Sequence, residues 1–408
     1  MFSGPPSAAS KADKIQPCDD ESLSSSAAAA AQGFFQQHTG CRLFADLEKE
    51  LTEKPAWDRL AGSSSLDFGS MFTDHMLTVQ WSFGQSWGRP RIGPLKLLEL
   101  HPAAKVLHYA TSVFEGMKAF RGSDGRVRLF RPELNMERML GSAERTCLPA
   151  FSKRELLACI KELLRVDRAW VPQECDLGDG CSLYLRPTLM GTTGTLGVDR
   201  PRDALLFVIM SPVQSYFEDA TTAVHLLADG RYIRSSYGGV GDHKMACNYA
   251  APLRIQEEAK KLGYPSVLWL HGEDARITEA GTMNVFFVLE LSKGERELVT
   301  PPLDGLILPG VYRQSVIELG SAVANCKVSE RVFTMQDLVK ASSQGRLLEA
   351  FGTGTAASIA PIGSIHYKDR CTIEIPTLSQ KAPLYRQLHQ SLSDIQFGRV
   401  AHEWADIV

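Results

Sequence analysis

Apolar residues recur at two spacings along the chain, and the change from one spacing to the other marks its elements. Leu77, Val79 and Trp81 alternate with Thr78 and Gln80, which predicts a strand over Met76–Trp81, because successive side chains of a pleated ribbon face opposite ways. Val127–Phe130, Leu183–Arg186 and Leu205–Met210 are read as further strands. Leu156, Leu157, Ile160, Leu163 and Leu164 instead fall at helical spacing behind Ser152 and Glu155, a capping-box pair that satisfies two N–H groups at a helix start. Another helix is predicted from Arg131–Pro132–Glu133 through Met136, Met139 and Leu140, since proline in a first turn removes an N–H that has no helical partner anyway.

The second half repeats the mixture. Strands are predicted near His225–Leu227, Val267–Leu270, Val285–Leu289 and Glu297–Thr300, with helices near Ala250–Lys261, Gly310–Ala324, Thr334–Ala341 and Pro383–Leu392. Helical and strand patterns mixed along the whole length predict an α/β chain of the α+β type. At 408 residues it is long enough for two cores. Pro212–Asp219 interrupts the pattern, so the expected division is a disordered tail over 1–40, a smaller α/β domain over 41–212, an interdomain loop over 213–224 and a larger domain over 225–408.

Charge and cysteine content narrow the function classes. A net charge of −3 provides no electrostatic footprint for nucleic acid or an anionic membrane. The apolar runs Ala204–Met210 and Val285–Leu289 are far shorter than the roughly 20 residues a membrane-spanning helix requires. The nine cysteines contain no CxxC and no zinc-type spacing with histidine, which predicts free thiols in a reducing compartment and no metal site. In the tail, Asp13, Asp19, Asp20 and Glu21 precede the first arginine, Arg42; this acidic start points to the cytoplasm, with a mitochondrial address as the alternative.

Candidate chemistry centres on Gly238–Ala250. Glycines ahead of Lys244 allow the backbone a close approach, whereas an ordinary turn with a solvated lysine is the bland alternative. Glu279 stands before a Gly281–Thr282–Met283–Asn284 turn that runs into Val285–Leu289, and Arg138 lies among apolar helix positions where a charge needs a partner. A lysine able to form a Schiff base, a carboxylate to face a pyridinium nitrogen and an arginine to hold a phosphate are what pyridoxal phosphate chemistry demands.

These stretches, with Phe72–Leu77, Leu107–Phe120, Val127–Leu140, Ser182–Pro187, Val299–Gly310, Phe351–Ala356 and His402–Trp404, resemble, from about Phe68 to Trp404, the branched-chain amino acid aminotransferases, the pyridoxal 5′-phosphate enzymes of fold type IV. The resemblance implies two α/β domains, a homodimer, and transamination of leucine, isoleucine or valine with 2-oxoglutarate. It makes Lys244 the catalytic residue and the cofactor anchor. Glu279 would face the pyridine nitrogen, Tyr249 the phenolate oxygen and Arg138 the phosphate. Thr282, Thr355 and the helix start at Val311 and Tyr312 would add donors to the cofactor. Around the substrate it places Phe68, Tyr109, Phe114, Tyr184 and Tyr216, with Arg186 meeting the γ-carboxylate of glutamate. Backbone N–H groups of Thr355 and Ala356 would hold the α-carboxylate, and Leu196 and Val198 would reach the partner subunit's site. Two positions depart from the family pattern: Ala357–Ser358–Ile359–Ala360 stands where vertebrate members carry a CxxC, and Ala246–Cys247 where a Gly-Gly is usual. Neither removes a catalytic group. A D-amino acid transaminase or a chorismate-derived lyase of the same fold type, and a catalytically silent scaffold homologue, are the alternatives; a scaffold would be expected to have lost the lysine, the acid or the arginine.

Overall fold

The computed structural model describes residues 44–60, 68–173, 180–214, 222–292, 294–323 and 325–408. Alternation becomes strand where expected: His75–Ser82 buries Leu77, Val79 and Trp81 and pairs antiparallel with Asp203–Val213, Leu77 opposite Val208. Asp203–Val213 pairs in turn with Ser182–Gly191 along its length, and Met117–Arg121 and Val127–Phe130 extend the sheet outward. The helices Pro132–Arg145 and Lys153–Val166 lay Met136, Met139, Leu156, Ile160, Leu163 and Leu164 into the same core as Leu77, Leu185 and Leu206. Half of the predicted capping box forms. Ser152 Oγ accepts from Glu155 N at 3.3 Å, while the Glu155 carboxylate turns away to accept from Phe44 N at 2.9 Å.

The second sheet runs, by neighbours, through Arg276–Ala280, Ser266–His271, Val224–Ala228, Ser358–Tyr367, Leu347–Gly354, Met283–Glu290, Arg296–Thr300 and Cys326–Glu330. Arg276–Ala280 also pairs with Met283–Glu290, so part of this sheet closes on itself like a barrel, with the hairpin carrying Glu279 at the closure. No alternation marks Leu347–Gly354 or Ser358–Tyr367, because both faces of each are largely covered and polar positions therefore do not alternate. Helix boundaries also shift. The predicted Ala250–Lys261 helix is a short turn at Cys247–Ala250 followed by Leu253–Lys261 with Pro252 at its N-cap, and the helix predicted at Gly310–Ala324 spans Val311–Ser321. At Thr334–Asp337 both halves of a capping box are made.

Residues from Cys41 to Val408 form one compact unit. The C-terminal strand Ala405–Ile407 returns to the first sheet, pairing with Val127–Phe130, and Arg131 stacks 4.2 Å over the Trp404 ring beside it. A second crossing positions the site. Phe114 N donates to Lys244 O at 3.2 Å and Ala246 N to Ser112 O at 3.0 Å, so the lysine loop is hydrogen-bonded to the short edge strand Ser112–Phe114 of the first sheet. Among the described residues no helix is long and apolar enough to cross a membrane, and no cluster of acidic, histidine and cysteine side chains could hold a metal ion.

Candidate active site

Lys244 is fixed by its backbone before its side chain is considered. Ser142 Oγ, on the helix Pro132–Arg145, accepts from Lys244 N at 2.9 Å, and Asn248 Nδ2 donates to the carbonyls of Val240 and His243 at 2.8 and 2.9 Å, closing the loop. Gly241 has a steric reason: a Cβ there would lie 2.2 Å from Ser235 Cβ. Lys244 Nζ then points at the Tyr249 hydroxyl, 3.1 Å away, and lies 4.8 Å over the Phe114 ring. Burial, reinforced by the Arg138 guanidinium, pushes its amine down to about 8, so a substantial fraction is uncharged and nucleophilic near neutral pH. The Tyr249 phenol is pushed up to about 12 by burial and remains protonated. His243 bonds to its neighbour Asp242 at 2.6 Å, the local role that its position suggests.

Glu279 is not a surface carboxylate. It is 2% exposed, Arg234 Nε lies 2.7 Å from its Oε2, and Leu308 N donates to its Oε1 at 2.7 Å. Burial pushes its carboxyl up, with the Arg234 guanidinium pulling the other way. Arg234 also donates to Leu306 O at 3.2 Å and Gly241 O at 3.0 Å, joining the glycine loop, the Leu306–Leu308 loop and the acid. Arg138 has its expected partner. Its Nε and Nη2 each donate at 2.8 Å to the carboxylate of Glu115, a residue with no exposed surface, and its Nη1 donates to Pro309 O at 3.0 Å.

The Thr355–Ala356 turn follows the strand Leu347–Gly354 and is clasped by the first sheet: Thr355 Oγ1 donates to Gly116 O at 3.2 Å and Lys118 Nζ to Ala356 O at 2.8 Å. Burial pushes the Lys118 amine down to about 8. Nearby, Arg186 spreads over two rings, its guanidinium carbon 4.8 Å from the Phe114 centroid and 5.2 Å from that of Tyr184, and Nη2 donates to the Tyr184 hydroxyl at 3.1 Å. Phe68 meets Tyr184 edge-on at 4.9 Å, and Phe114 meets Tyr249 at 4.8 Å. Lys244, Tyr249, Phe114, Tyr184, Arg186 and Phe68 are thus linked by successive contacts.

Other expected residues lie apart from that group. The Tyr109 hydroxyl donates to Leu196 O, and the buried Lys105 ammonium holds the same loop through Gly197 O and Asp199, leaving Leu196 62% and Val198 84% exposed. Thr282 is exposed at the hairpin turn. Val311 and Tyr312 open the helix Val311–Ser321, where no side chain caps the first turn, while the Tyr312 hydroxyl is engaged by Gln396 at 2.8 Å. Tyr216 lies outside the described residues. Sequence reasoning passed over Glu115, Lys118, Ser142 and Arg234. The signal that marks Arg138, a charge inside an apolar run, is present equally at Glu115 between Phe114 and Met117.

The Arg138 guanidinium and the uncapped start of the helix Val311–Ser321 fit the phosphate of a phosphorylated cofactor, and further donors remain for a ligand. Arg186 Nε and Thr353 Oγ1 are buried with no hydrogen-bond partner among the described residues, and such donors are costly unless a ligand satisfies them. Residues 112–365 match the family described as amino-transferase class IV. A bovine branched-chain-amino-acid aminotransferase, named as mitochondrial, is 50% identical over 361 residues, covering 88% of this chain and 90% of the relative. The rat cytosolic enzyme is 51% identical over 342 residues, covering 84% and 82%. This chain belongs to the branched-chain aminotransferases. A solved member of that group from Thermobaculum terrenum, described as the PLP-form, superposes with a TM-score of 0.63 at 25% identity, covering 81% of this chain and 97% of its own. The branched-chain aminotransferase fold of type IV accounts for the two mixed sheets, and the family's PLP-form structure implies pyridoxal phosphate as the cofactor.

Proposed function

We propose that this chain transfers the amino group of leucine, isoleucine or valine to 2-oxoglutarate, giving the branched-chain 2-oxo acid and L-glutamate, with pyridoxal 5′-phosphate held by its own residues. The observation that carries the reading is the buried Lys244 amine, lowered to about 8 and aimed at Tyr249. Bound pyridoxal phosphate supplies an electron sink that weakens the α-hydrogen bond of an amino acid. Lys244 Nζ would anchor the cofactor and, once displaced, would carry the proton from the substrate α-carbon to C4′ of the cofactor. Glu279, bonded by Arg234 and by the Leu308 N–H, would face the pyridine nitrogen, and the Tyr249 hydroxyl would donate to the phenolate oxygen. Arg138, Thr355 and the uncapped N–H groups at Val311 and Tyr312 take the phosphate, because a helix start and a planar guanidinium both favour an anion; Thr282 is the remaining donor of this set.

On the substrate side, Phe68, Phe114 and Tyr184 form the apolar wall. The N–H groups of Thr355 and Ala356 take the α-carboxylate, with Lys118 fixing the turn from behind. The orphaned Nε of Arg186 supports a role for that side chain toward the γ-carboxylate of glutamate. The outward loop carrying Leu196 and Val198, tied to Tyr109, supports a homodimer in which it covers the partner subunit's pocket. We read the two sheets as the centres of two α/β domains, with the C-terminal strand Ala405–Ile407 returning to the first. The acidic tail supports a cytoplasmic location, relatives being named for both the cytosol and the mitochondrion.

A coupled assay offering each L-amino acid with 2-oxoglutarate tests the reading. Turnover with leucine, isoleucine and valine, abolished in Lys244→Ala with the thermal midpoint retained, is expected. Turnover of D-alanine without any of L-leucine would transfer the site to a D-amino acid transaminase.

A further inference from the structure

Glu115 is a fully buried carboxylate that the reaction itself does not use. Its two oxygens accept from Arg138 Nε and Nη2 at 2.8 Å, and Oε2 also accepts from Asn135 Nδ2 at 2.8 Å and Gly116 N at 3.2 Å. Asn135 and Arg138 stand one turn apart on the helix Pro132–Arg145, so both donors reach it from one helix face. Three of the N–H groups of Arg138 are engaged, by Glu115 and by Pro309 O. A guanidinium carries five N–H groups in a planar fork, so donors remain for an anion. A cavity of about 370 Å³ lies beside them, lined by Arg131, Arg138, Gly310 and Val311 and also by Glu137 and Glu318, whose carboxylates are paired with Lys153 and Arg131, and it contains the start of the helix whose first turn has no side-chain cap.

We propose that Glu115 is a positioning residue for the cofactor phosphate: it grips one edge of the Arg138 guanidinium so that the remaining N–H groups face the cavity at the helix start Gly310–Val311. The inference rests on the phosphate role given to Arg138 above. A long arginine side chain loses much rotamer freedom when it is ordered, and a bidentate carboxylate fixes both its position and its plane. Without that grip the same guanidinium can swing toward other carbonyls, and the phosphate must recruit it. The pairing also opposes the phosphate electrically, since a carboxylate beside an anion site repels it. Positioning and repulsion therefore predict opposite changes when the charge is removed, which makes the proposal decidable.

The measurement is cofactor affinity of the full chain after cofactor removal, taken with pyridoxal 5′-phosphate and with unphosphorylated pyridoxal, for wild type, Arg138→Gln, Glu115→Gln, Glu115→Asp and the double variant Glu115→Gln/Arg138→Gln. Glutamine keeps the volume of glutamate. Aspartate keeps the charge but withdraws it from the guanidinium, and serves if the glutamine variant does not fold. The expected result is at least a tenfold loss for pyridoxal phosphate in Glu115→Gln, a smaller loss in Glu115→Asp, pyridoxal affinity within twofold throughout, and a double variant no weaker than Arg138→Gln alone. Tighter or unchanged binding of the phosphorylated form in Glu115→Gln overturns the proposal, as does an equal loss for both ligands. If Arg138→Gln itself fails to discriminate between the two ligands, it is the phosphate role of Arg138 that falls.

Discussion

Replacing Arg234 with methionine keeps an apolar stem of similar length and leaves the Glu279 carboxylate buried with the Leu308 N–H and without its cation. The cost has a ceiling, because the carboxyl can discharge itself by taking a proton. Each pH unit of that work is about 1.4 kcal/mol, so from the ordinary glutamate value near 4.3 the ceiling is roughly 3.7 kcal/mol at pH 7 and roughly 1.6 kcal/mol at pH 5.5. Losing the bonds to Leu306 O and Gly241 O adds about 1 kcal/mol each at either pH. Burial already pushes the folded-state carboxyl up, and removing the guanidinium pushes it further. A folded carboxyl raised above its unfolded value favours folding fully below the unfolded value, and that contribution is lost as pH rises through the folded one. The deficit of Arg234→Met against wild type should therefore shrink between pH 7 and pH 5.5, by at most about 2 kcal/mol because the wild-type carboxyl is itself already raised. Urea unfolding of both cofactor-free proteins, at one protein concentration because association shifts the midpoint, measures it. A deficit that does not change over that range would refute the assignment of Arg234 as the counter-charge of Glu279.

Arg186→Met should raise KM for glutamate and 2-oxoglutarate on the order of 30-fold or more, the equivalent of about 2 kcal/mol for truncating one partner of a desolvated charge contact, while the leucine half-reaction changes only a few-fold. Equal damage to both half-reactions would make Arg186 a structural residue of its strand. Capture of pyridoxal phosphate by the cofactor-free enzyme should accelerate with pH with a midpoint near 8, since the free amine of Lys244 is the nucleophile and burial has lowered it to that value; a midpoint near the ordinary lysine value of about 10.4 rejects this. In Gly116→Ala a methyl would stand 2.2 Å from the Tyr184 hydroxyl, so Tyr184 and Arg186 must shift. Leucine turnover should drop along with about 1–3 kcal/mol of stability, and unchanged kinetics would show that the pocket wall is not where it is drawn.

Much of this protein was legible in one dimension. Alternation at Leu77, Val79 and Trp81, and helical spacing from Leu156 to Leu164, announce their elements because each covers only one face, so polar residues mark the other. Lys244, Glu279 and Arg138 stood out because a charge beside glycines or inside an apolar run is unfavourable without a partner. Strands covered on both faces, such as Leu347–Gly354, gave no period to read, and the predicted helix around Pro252 broke where proline offers no N–H. What tertiary structure alone decided is which charges meet. Glu115 and Arg138 are 23 residues apart, Lys118 and Ala356 are 238 apart, and Arg234 reaches Glu279 from another loop. Those pairings depend on the packing of two sheets and on the edge strand Ser112–Phe114 hydrogen-bonding to the lysine loop, distances through space that spacing along a chain does not encode.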